Sequence, residues 1–302
     1  MHLFVVSVLL VFGFPFIMTD VVDSFSTCSQ FFFDGQPPVI PGILENSESK
    51  DNRYKLICQK HVNAYRFATL YDTTSKIPVF SAYKYTEKVK FDRPKSKWRI
   101  EQKLENQASK KDYCKNDQNV NCGHLFPSSH AADLNTAKST FTLTNAVPQK
   151  ISFNSGSWSH MEQKTKLMME SHCLDQNNKL VAYVLAGAIP GRNKLKDRVN
   201  IPSHMWAVFC CYSEKGKSWV FSAHWAENKD ETDNSKTIDD KTLEQLEEFL
   251  KQTWPKVQLF KERCNNGKLV SQSGSQFQES QEEDEYFSCE EDDEYYSASE
   301  DI

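Results

Sequence analysis

The stretch NCGHLFPSSHAADLNTAKSTFTLTNAVPQKISFNSGSWSHME, residues 121–162, decides how the rest of the chain is interpreted. It predicts a strand that delivers His124 and a second strand that ends in TNAVPQ, residues 144–149. The following FNSGSW sequence places Asn154 where a helix is expected to start. Glu162 comes two helical turns plus about a quarter later, so the two side chains are expected on roughly the same side of that helix.

These residue types suit metal-assisted chemistry on phosphates. The amide oxygen of Asn154 is a neutral, hard ligand, able to hold Mg²⁺ with several waters and to leave coordination positions for phosphate oxygens. The imidazole of His124, with an ordinary pKa of about 6.5, is suited to deprotonate a water near neutral pH. Glu162 is suited to order metal-bound waters.

The segment resembles the ββα-metal, or His-Me finger, motif of the DNA/RNA non-specific endonucleases. That family has Asp-Arg-Gly-His, then Thr-Asn-x-x-Pro-Gln, then Asn-x-Gly-x-Trp and a Glu. The chain carries NCGH (121–124), TNAVPQ (144–149), NSGSW (154–158) and Glu162 in the same order. YVLAGAIPG (183–191) and IPSHMWAV (201–208) are similar to later strands of the family, and the resemblance covers about residues 25–265.

The resemblance implies a role for each matched residue. His124 is then the general base, Asn154 the direct ligand of Mg²⁺ (with Mn²⁺ as an alternative ion), and Glu162 the residue that organises the metal's waters. Asn145 is expected to support the site from the end of the preceding strand. DNA and RNA are the implied substrates, contacted through backbone phosphates with little reading of bases.

One position departs from the family. Its Asp-Arg pair is Asn121-Cys122 here, so the arginine that lies near the scissile phosphate is missing. By analogy with removed oxyanion donors, such a loss costs about 10²–10³ in rate. Arg93, Lys97 and Arg99 lie in the segment that supplies another phosphate-facing cation in the family, and the sequence does not say which of them takes that role.

Simpler interpretations exist for each residue alone. Asn145 can make an Asx turn, Asn154 is an ordinary N-cap candidate, and Glu162 can be a solvated helix residue. Their order in the chain, together with His124, favours the site. His130 and His160 are interpreted as bystanders.

Composition adds a secretory setting. Leu3 to Met18 is an almost unbroken apolar run of the length of a signal peptide, so residues 1–22 are predicted to be a signal, with cleavage between Thr19 and Ser26. No later segment is apolar and long enough for a stable membrane span. The mature protein is therefore expected to be secreted or lumenal.

Nine cysteines fit an oxidising compartment, and no Cys/His spacing matches a zinc site. Cys28–Cys58 is one expected disulfide. A second hypothesis pairs Cys114 with Cys122 across a short polar loop, which would lock the strand that bears His124. Further bridges are expected among Cys173, Cys210, Cys211 and Cys264 with the connectivity open, and Cys289 is the best candidate for an unpaired thiol.

Charge divides the chain unevenly. Residues 269–302 hold 12 acidic and no basic side chains, while the remainder has 36 basic and 29 acidic ones. The mildly basic body permits an anionic partner such as nucleic acid. The tail is predicted to be disordered. A nuclease-like domain is then expected over residues 23–268, followed by the acidic tail over 269–302.

The mixed order of strands and helices, without βαβ regularity, predicts an α+β fold. We expect a central, mostly antiparallel sheet flanked by helices. Strands are predicted around 63–85, 139–149, 179–191, 204–212 and 218–221, and helices after Asn154 and over 241–254. The function that follows is Mg²⁺-dependent hydrolysis of phosphodiester bonds in DNA and RNA. The alternative is a catalytically impaired relative that binds nucleic acid or a protein partner, because Cys122 replaces the family's arginine.

Overall fold

A large antiparallel sheet organises the molecule, and the α+β prediction is confirmed. The computed structural model describes residues 20–233 and 236–271. Eight strands form the sheet, and its final pair is parallel. In spatial order they are β1 (Asp20–Val22), β4 (Tyr54–His61), β5 (Ala64–Asp72), β6 (Ile77–Thr86), β9 (Val181–Ile189), β12 (His204–Ser213), β13 (Ser218–Glu227) and β14 (Lys268–Leu269).

Smaller elements connect or flank this sheet. A separate hairpin is formed by β7 (Val120–His124) and β8 (Ala146–Lys150). Two further pairs are β2 (Leu44–Glu45) with β3 (Glu48–Ser49) and β10 (Lys194–Leu195) with β11 (Val199–Asn200). The helices are α1 (Lys110–Tyr113), α2 (Leu134–Ser139), α3 (Ile151–Phe153), α4 (Ser159–His172), α5 (Leu243–Leu250) and α6 (Glu262–Asn265).

Strand β12 shows how the sheet separates two apolar layers. Side chains alternate between the faces of a strand, so Val208 and Cys210 pack on the side that carries α5. Phe209 and Cys211 pack on the opposite side, with Met168 of α4. The hairpin β7–β8 joins this second side through a cluster that includes Ala207. The sequence between α4 and α5 therefore builds the wall against which the hairpin and its following helix rest.

Three disulfides have both of their cysteines among the described residues, and they bond the layers to the sheet: Cys28–Cys58, Cys173–Cys211 and Cys210–Cys264. The pairing Cys28–Cys58 was predicted from the sequence. The other two bridges give the connectivity that the sequence left open. The Cys114–Cys122 hypothesis is wrong, because Cys114 is disulfide-bonded while Cys122 carries a buried free thiol. Cys122 packs inside the apolar cluster of the hairpin. Cys289 lies outside the described residues.

Most predicted elements agree with the structure, and two of the differences concern strands β8 and β4. The strand expected over 139–149 begins only at Ala146, because Thr142 and Thr144 instead turn their hydroxyls toward Glu101. Strand β4 was not predicted. Residues 86–119 are mostly loop, as expected. Among the described residues, no helix has the length and apolar character that crossing a bilayer requires.

Candidate active site

The hairpin β7–β8 positions the residues of the NCGH motif. Its antiparallel register sets His124 opposite Ala146 and Asn121 opposite Gln149. Gly123 lies between them, and a Cβ atom there would be 1.9 Å from Oε1 of Gln149. Only glycine therefore allows the Gln149 side chain to pack over the strand at this point.

The chain enters its helix earlier than predicted. Helix α3 begins at Ile151, and Asn154 already has helical dihedral angles (φ −61°, ψ −48°), so it is not an N-cap. A π-helical turn over Asn154–Trp158 follows, and Gly156 departs from helical geometry (φ −97°, ψ −117°). Because this interruption precedes α4, the rotation expected for an unbroken helix does not apply between Asn154 and Glu162.

A side-chain hydrogen bond joins the π turn to the hairpin. Nδ2 of Asn154 donates to Oδ1 of Asn121 over 3.2 Å. The amide nitrogen of Asn154 is thereby engaged, which leaves its oxygen as the end of the amide that suits a metal ligand. Two residues 33 positions apart are brought together at the entrance to the helix.

The carboxylate of Glu162 is held by its own helix. Oε1 of Glu162 accepts a hydrogen bond from Nε1 of Trp158 over 2.9 Å. This bond spans one helical turn and fixes the carboxylate close to the π turn that carries Asn154.

His130, interpreted from the sequence as a bystander, contacts the backbone of the same helix. Its Nε2 lies 3.1 Å from the backbone oxygen of Glu162, and its Nδ1 lies 2.8 Å from the hydroxyl of Tyr83. A carbonyl only accepts, so Nε2 donates and Nδ1 receives the Tyr83 proton. Burial lowers the pKa of His130 to about 4, consistent with this neutral form.

His124 sits between two aromatic rings. Its imidazole centroid is 4.5 Å from the ring of Trp98 and 4.8 Å from that of Phe141. Burial, and secondly the positive charge of Arg93, lower the pKa of His124 to about 3. The imidazole is therefore neutral near pH 7, which is the protonation state that a general base needs.

Asn145 is completely buried, and its amide is saturated with hydrogen bonds. Oδ1 accepts from Oγ of Ser81 (2.8 Å) and from the backbone N–H of Phe126 (3.0 Å). Nδ2 donates to the carbonyl oxygens of Phe126 (3.1 Å) and Thr140 (3.0 Å). These bonds tie the chain just after His124 to the start of β8 and to strand β6.

The three candidate phosphate-binding cations have different environments. Arg93 and Lys97 are exposed on the long loop between β6 and α1, and the charge of Arg93 reaches His124. Arg99 is partly buried, and its guanidinium donates to the backbone oxygen of Lys138. Arg99 therefore fastens the loop, whereas Arg93 is the cation that acts on the base.

Cys122 lies in apolar surroundings, where the family has its arginine. The residue is 7% exposed and belongs to the cluster formed with Tyr113 and Val147. Burial raises the pKa of its thiol well above the ordinary value, so the side chain is neutral. No charge is delivered to a phosphate from this position.

The oxygen atoms near Asn154 that could act as metal ligands suit a hard cation that keeps part of its water shell. Within residues 20–233 and 236–271 no group of three His, Cys, Asp or Glu side chains is arranged to hold a metal. Amide oxygens are available instead, and Gln149 is fully buried with neither Oε1 nor Nε2 hydrogen-bonded in this part of the chain. Mg²⁺ keeps several waters and binds few protein ligands, so a site of Asn154 and water-binding amides suits it.

A hairpin that ends in a histidine, followed by a helix with an asparagine and a glutamate, defines the ββα-metal class of nuclease folds. The chain belongs to the DNA/RNA non-specific endonuclease family, which it matches over residues 46–254. Family membership supports a nuclease, that is, a hydrolase of nucleic acids.

Two relatives and one solved structure illustrate the similarity. The chain is 29% identical over 267 residues to the mouse (Mus musculus) endonuclease domain-containing 1 protein and 28% identical over 266 residues to its human (Homo sapiens) counterpart. Each comparison covers 80% of this chain and 48% of the relative, so the chain spans about half the length of these relatives.

The solved structure is described as the EndoG/EndoGI complex and the mechanism of EndoG inhibition. It superposes with a TM-score of 0.54 at 16% identity, covering 68% of this chain and 87% of that chain. At this identity the likeness establishes the fold.

Proposed function

We propose that the chain is a secreted, Mg²⁺-dependent endonuclease that hydrolyses phosphodiester bonds of DNA and RNA, with His124 as general base. The observation that carries the proposal is the contact between Asn121 and Asn154, because it brings the strand of the base to the turn of the metal ligand. Membership of the family supports the reaction class.

His124 acts on the attacking water. Burial keeps the imidazole neutral at pH 7, so one ring nitrogen has a lone pair that can accept a proton, although the same burial makes this nitrogen a weaker base. The nitrogen need only be within hydrogen-bond reach of the water to abstract its proton as the bond to phosphorus forms.

Asn154, Glu162 and Gln149 would serve the metal. Asn154 would bind it through its amide oxygen, while Glu162 and Gln149 would hold its waters. When bound, Mg²⁺ supplies a positive charge that polarises the phosphate and stabilises the leaving oxygen. Arg93, exposed beside His124, would bind the substrate phosphate in place of the family arginine that Cys122 replaces.

Secretion is supported by two features. Residues 1–19 contain the apolar run and lie outside the described residues, and the disulfides fit an oxidising compartment. The boundaries proposed for the signal, the nuclease-like domain and the acidic tail remain predictions from the sequence.

A second candidate function is favoured by Cys122. Its apolar environment supplies no cation, so the chain would be a catalytically impaired nuclease-like protein that binds nucleic acid or a protein partner. The two candidates differ in whether the bond is cut.

Nicking of supercoiled plasmid by the oxidatively refolded chain separates them. With Mg²⁺ we expect nicking by the wild type, none with EDTA, and a loss of about 10²-fold or more in His124→Ala. His160→Ala is the control, because His160 lies in α4 and has no role in the proposal. Equal signals from wild type and His124→Ala would support the binding protein instead.

A further inference from the structure

Cys114 differs from the other cysteines of the described chain. Those residues are at most 7% exposed and lie in the apolar clusters of the core. Cys114 is partly exposed, between α1 and the strand that bears His124. It is also disulfide-bonded, although none of the three bridges within the described residues includes it. Its partner therefore lies outside that part of the chain.

The cysteine count leaves one candidate for this partner. The chain has nine cysteines, and eight of them lie in residues 20–233 and 236–271. Six of the eight form the three bridges, and Cys122 carries a free thiol. The ninth is Cys289, the single cysteine of the acidic tail, so it is the one that this chain offers to Cys114.

A basic surface surrounds Cys114. We define it by the exposed cations of residues 110–117 and 194–198, which are Lys110, Lys111, Lys115, Lys194, Lys196 and Arg198. Three acidic residues in the same stretches leave an excess of positive charge. Nε of Arg198 donates to Oδ1 of Asp112 over 2.9 Å and joins the two stretches. Nζ of Lys196 donates to the backbone oxygen of Cys114 over 2.6 Å, so one cation lies directly beside the bonded cysteine.

The basic surface is attached to the candidate active site. Tyr113 of α1 and Leu195 of β10 belong to the same apolar cluster as Val120 and Cys122 of β7. The cations of this surface therefore lie beside the hairpin that carries His124. A polyanion bound at the hairpin is attracted by them.

The acidic tail is complementary to this surface and long enough to reach it. Residues 282–294, which enclose Cys289, hold nine acidic side chains and no basic one. Cys289 follows Ser271, the last described residue, by 18 residues, which span about 60 Å when extended. A domain of about 250 residues has a radius of gyration of about 18 Å, so this length crosses the molecule.

A covalent link makes weak ion pairs effective. Exposed ion pairs are individually weak, and salt screens them. A segment tethered beside its partner surface, however, acts at an effective concentration of about a millimolar. The carboxylates on both sides of Cys289 would then meet the cations on both sides of Cys114.

We propose that Cys114 is bonded to Cys289, and that this bridge holds residues 282–294 against the basic surface. The bond forms by exchange with a small disulfide such as oxidised glutathione. The two cysteine sulfurs join, and their two protons and two electrons pass to the oxidant, whose S–S bond breaks to give two thiols. The docked tail then competes with nucleic acid for this surface. That competition rests on the proposed function, whereas the bridge and the docking are properties of the folded chain.

Tryptic mapping of the oxidatively refolded full chain, without reductant, tests the bridge. Trypsin cleaves after Lys111, Lys115 and Lys268, so it releases Cys114 in residues 112–115 and Cys289 in residues 269–302. We expect these two peptides to be linked and to separate on reduction. A free thiol at Cys289, or two copies of peptide 112–115 joined to each other, would overturn the proposal. Neither result depends on nuclease activity.

Acetylation with limiting acetic anhydride tests the docking, because nearby carboxylates keep lysine amines protonated and unreactive. Lys110 and Lys194 should react several-fold faster in the double variant Cys114→Ser/Cys289→Ser than in the wild type. Lys179 is the internal control, because it is exposed just before β9 whereas Lys194 follows the other end of that strand. Equal reactivity of Lys194 in both proteins would overturn the docking.

A second variant removes charge and keeps the bridge. It replaces five acidic residues of the tail by amides: Glu290→Gln, Glu291→Gln, Asp292→Asn, Asp293→Asn and Glu294→Gln. We expect the linked peptides to persist and the acetylation of Lys194 to rise. An oligonucleotide in EDTA should bind about tenfold more tightly than to the wild type at about 50 mM salt. Unchanged acetylation would contradict the docking, whereas faster acetylation without oligonucleotide binding would support the docking and count against the proposed function.

Discussion

Nδ2 of Asn154 donates to Oδ1 of Asn121 across the junction between hairpin and helix, over 3.2 Å. This bond orients the amide whose oxygen is proposed to bind Mg²⁺. Asn121 occupies the position of the family's aspartate, so the substitution from a carboxylate keeps an acceptor while removing a charge. The orientation of the ligand therefore depends on a neutral neighbour.

We expect Asn121→Ala to weaken Mg²⁺ binding about 10- to 100-fold, because removal of a residue that orients a metal ligand typically has this cost. Asn154→Ala should abolish binding. Calorimetric titration of the apo protein with Mg²⁺ measures both effects. Asn135→Ala, at an exposed site on α2, is the control and should bind as the wild type does. Wild-type affinity in Asn121→Ala would show that the hydrogen bond does not orient the ligand.

Replacement of Gln149 should affect the stability of the metal-free protein and the stabilisation by Mg²⁺ differently. Its buried amide lacks hydrogen bonds within the described residues, so Gln149→Met, which keeps the shape, should leave the melting temperature in EDTA unchanged or higher. The same variant should reduce the rise in melting temperature caused by Mg²⁺ if Gln149 holds metal-bound water. Scanning calorimetry with and without Mg²⁺ measures both quantities. A full Mg²⁺ response in Gln149→Met would exclude that role.

The thiol of Cys122 should be inert in the native protein. Burial and a raised pKa keep it protonated and inaccessible, so a thiol reagent is expected to label it only after unfolding. Alkylation followed by peptide mapping, in native buffer and in guanidinium chloride, identifies the labelled residue. Rapid native labelling of Cys122 would contradict the burial.

Acid should destabilise the fold through its buried histidines. Burial lowers the pKa of His61 and His130 to about 4 and that of His124 to about 3. The unfolded chain, with histidine pKa values near 6.5, therefore binds more protons below pH 6.5. Their contribution to stability is complete above that pH and is lost as the pH falls toward 4, by up to about 1.4 kcal/mol per pH unit for each histidine.

Urea unfolding at pH 7, 6 and 5 measures this slope. His130→Gln keeps a donor for the Glu162 carbonyl and removes one titrating group, so its slope between pH 6 and 5 should be shallower by about one proton. His160→Gln is the comparison variant, because it replaces a histidine that is partly exposed. An identical slope in His130→Gln and the wild type would mean that His130 is not neutral when buried.

The hairpin and the residues carried on it were predictable because their motifs fix both type and order. From His124 to Glu162 the chain contains a turn, a strand and a helix. The polar residues of these elements follow one another as they do in the family motif. The register that sets Asn121 opposite Gln149 follows from the pairing of the two motif strands. In this segment the local sequence pattern and the tertiary contacts favour the same structure, so the hairpin can be predicted from the sequence.

Other features depended on contacts that are distant in sequence. The helix begins at Ile151 rather than at Asn154. The side-chain amide of Asn154 donates a hydrogen bond to Asn121 and does not cap the helix. Cys122 follows Cys114 by only eight residues. A side chain in a strand points to one face of the strand, however, and that of Cys122 points into the apolar cluster of the hairpin. The contacts of His130 with Tyr83 and with the backbone of Glu162 join segments that are distant in sequence, and no spacing rule points to them.

The neighbouring cysteines of β12 have a consequence for how the protein matures. Cys210 bonds α6 through Cys264 and Cys211 bonds the end of α4 through Cys173, on opposite faces of one strand. An exchange of the two partners would require the strand to shift by one residue, which would turn every side chain of β12 to the wrong layer. Correct oxidation thus reports that the central strand is in register, so a chain that carries both bridges also has the wall of its candidate active site correctly built.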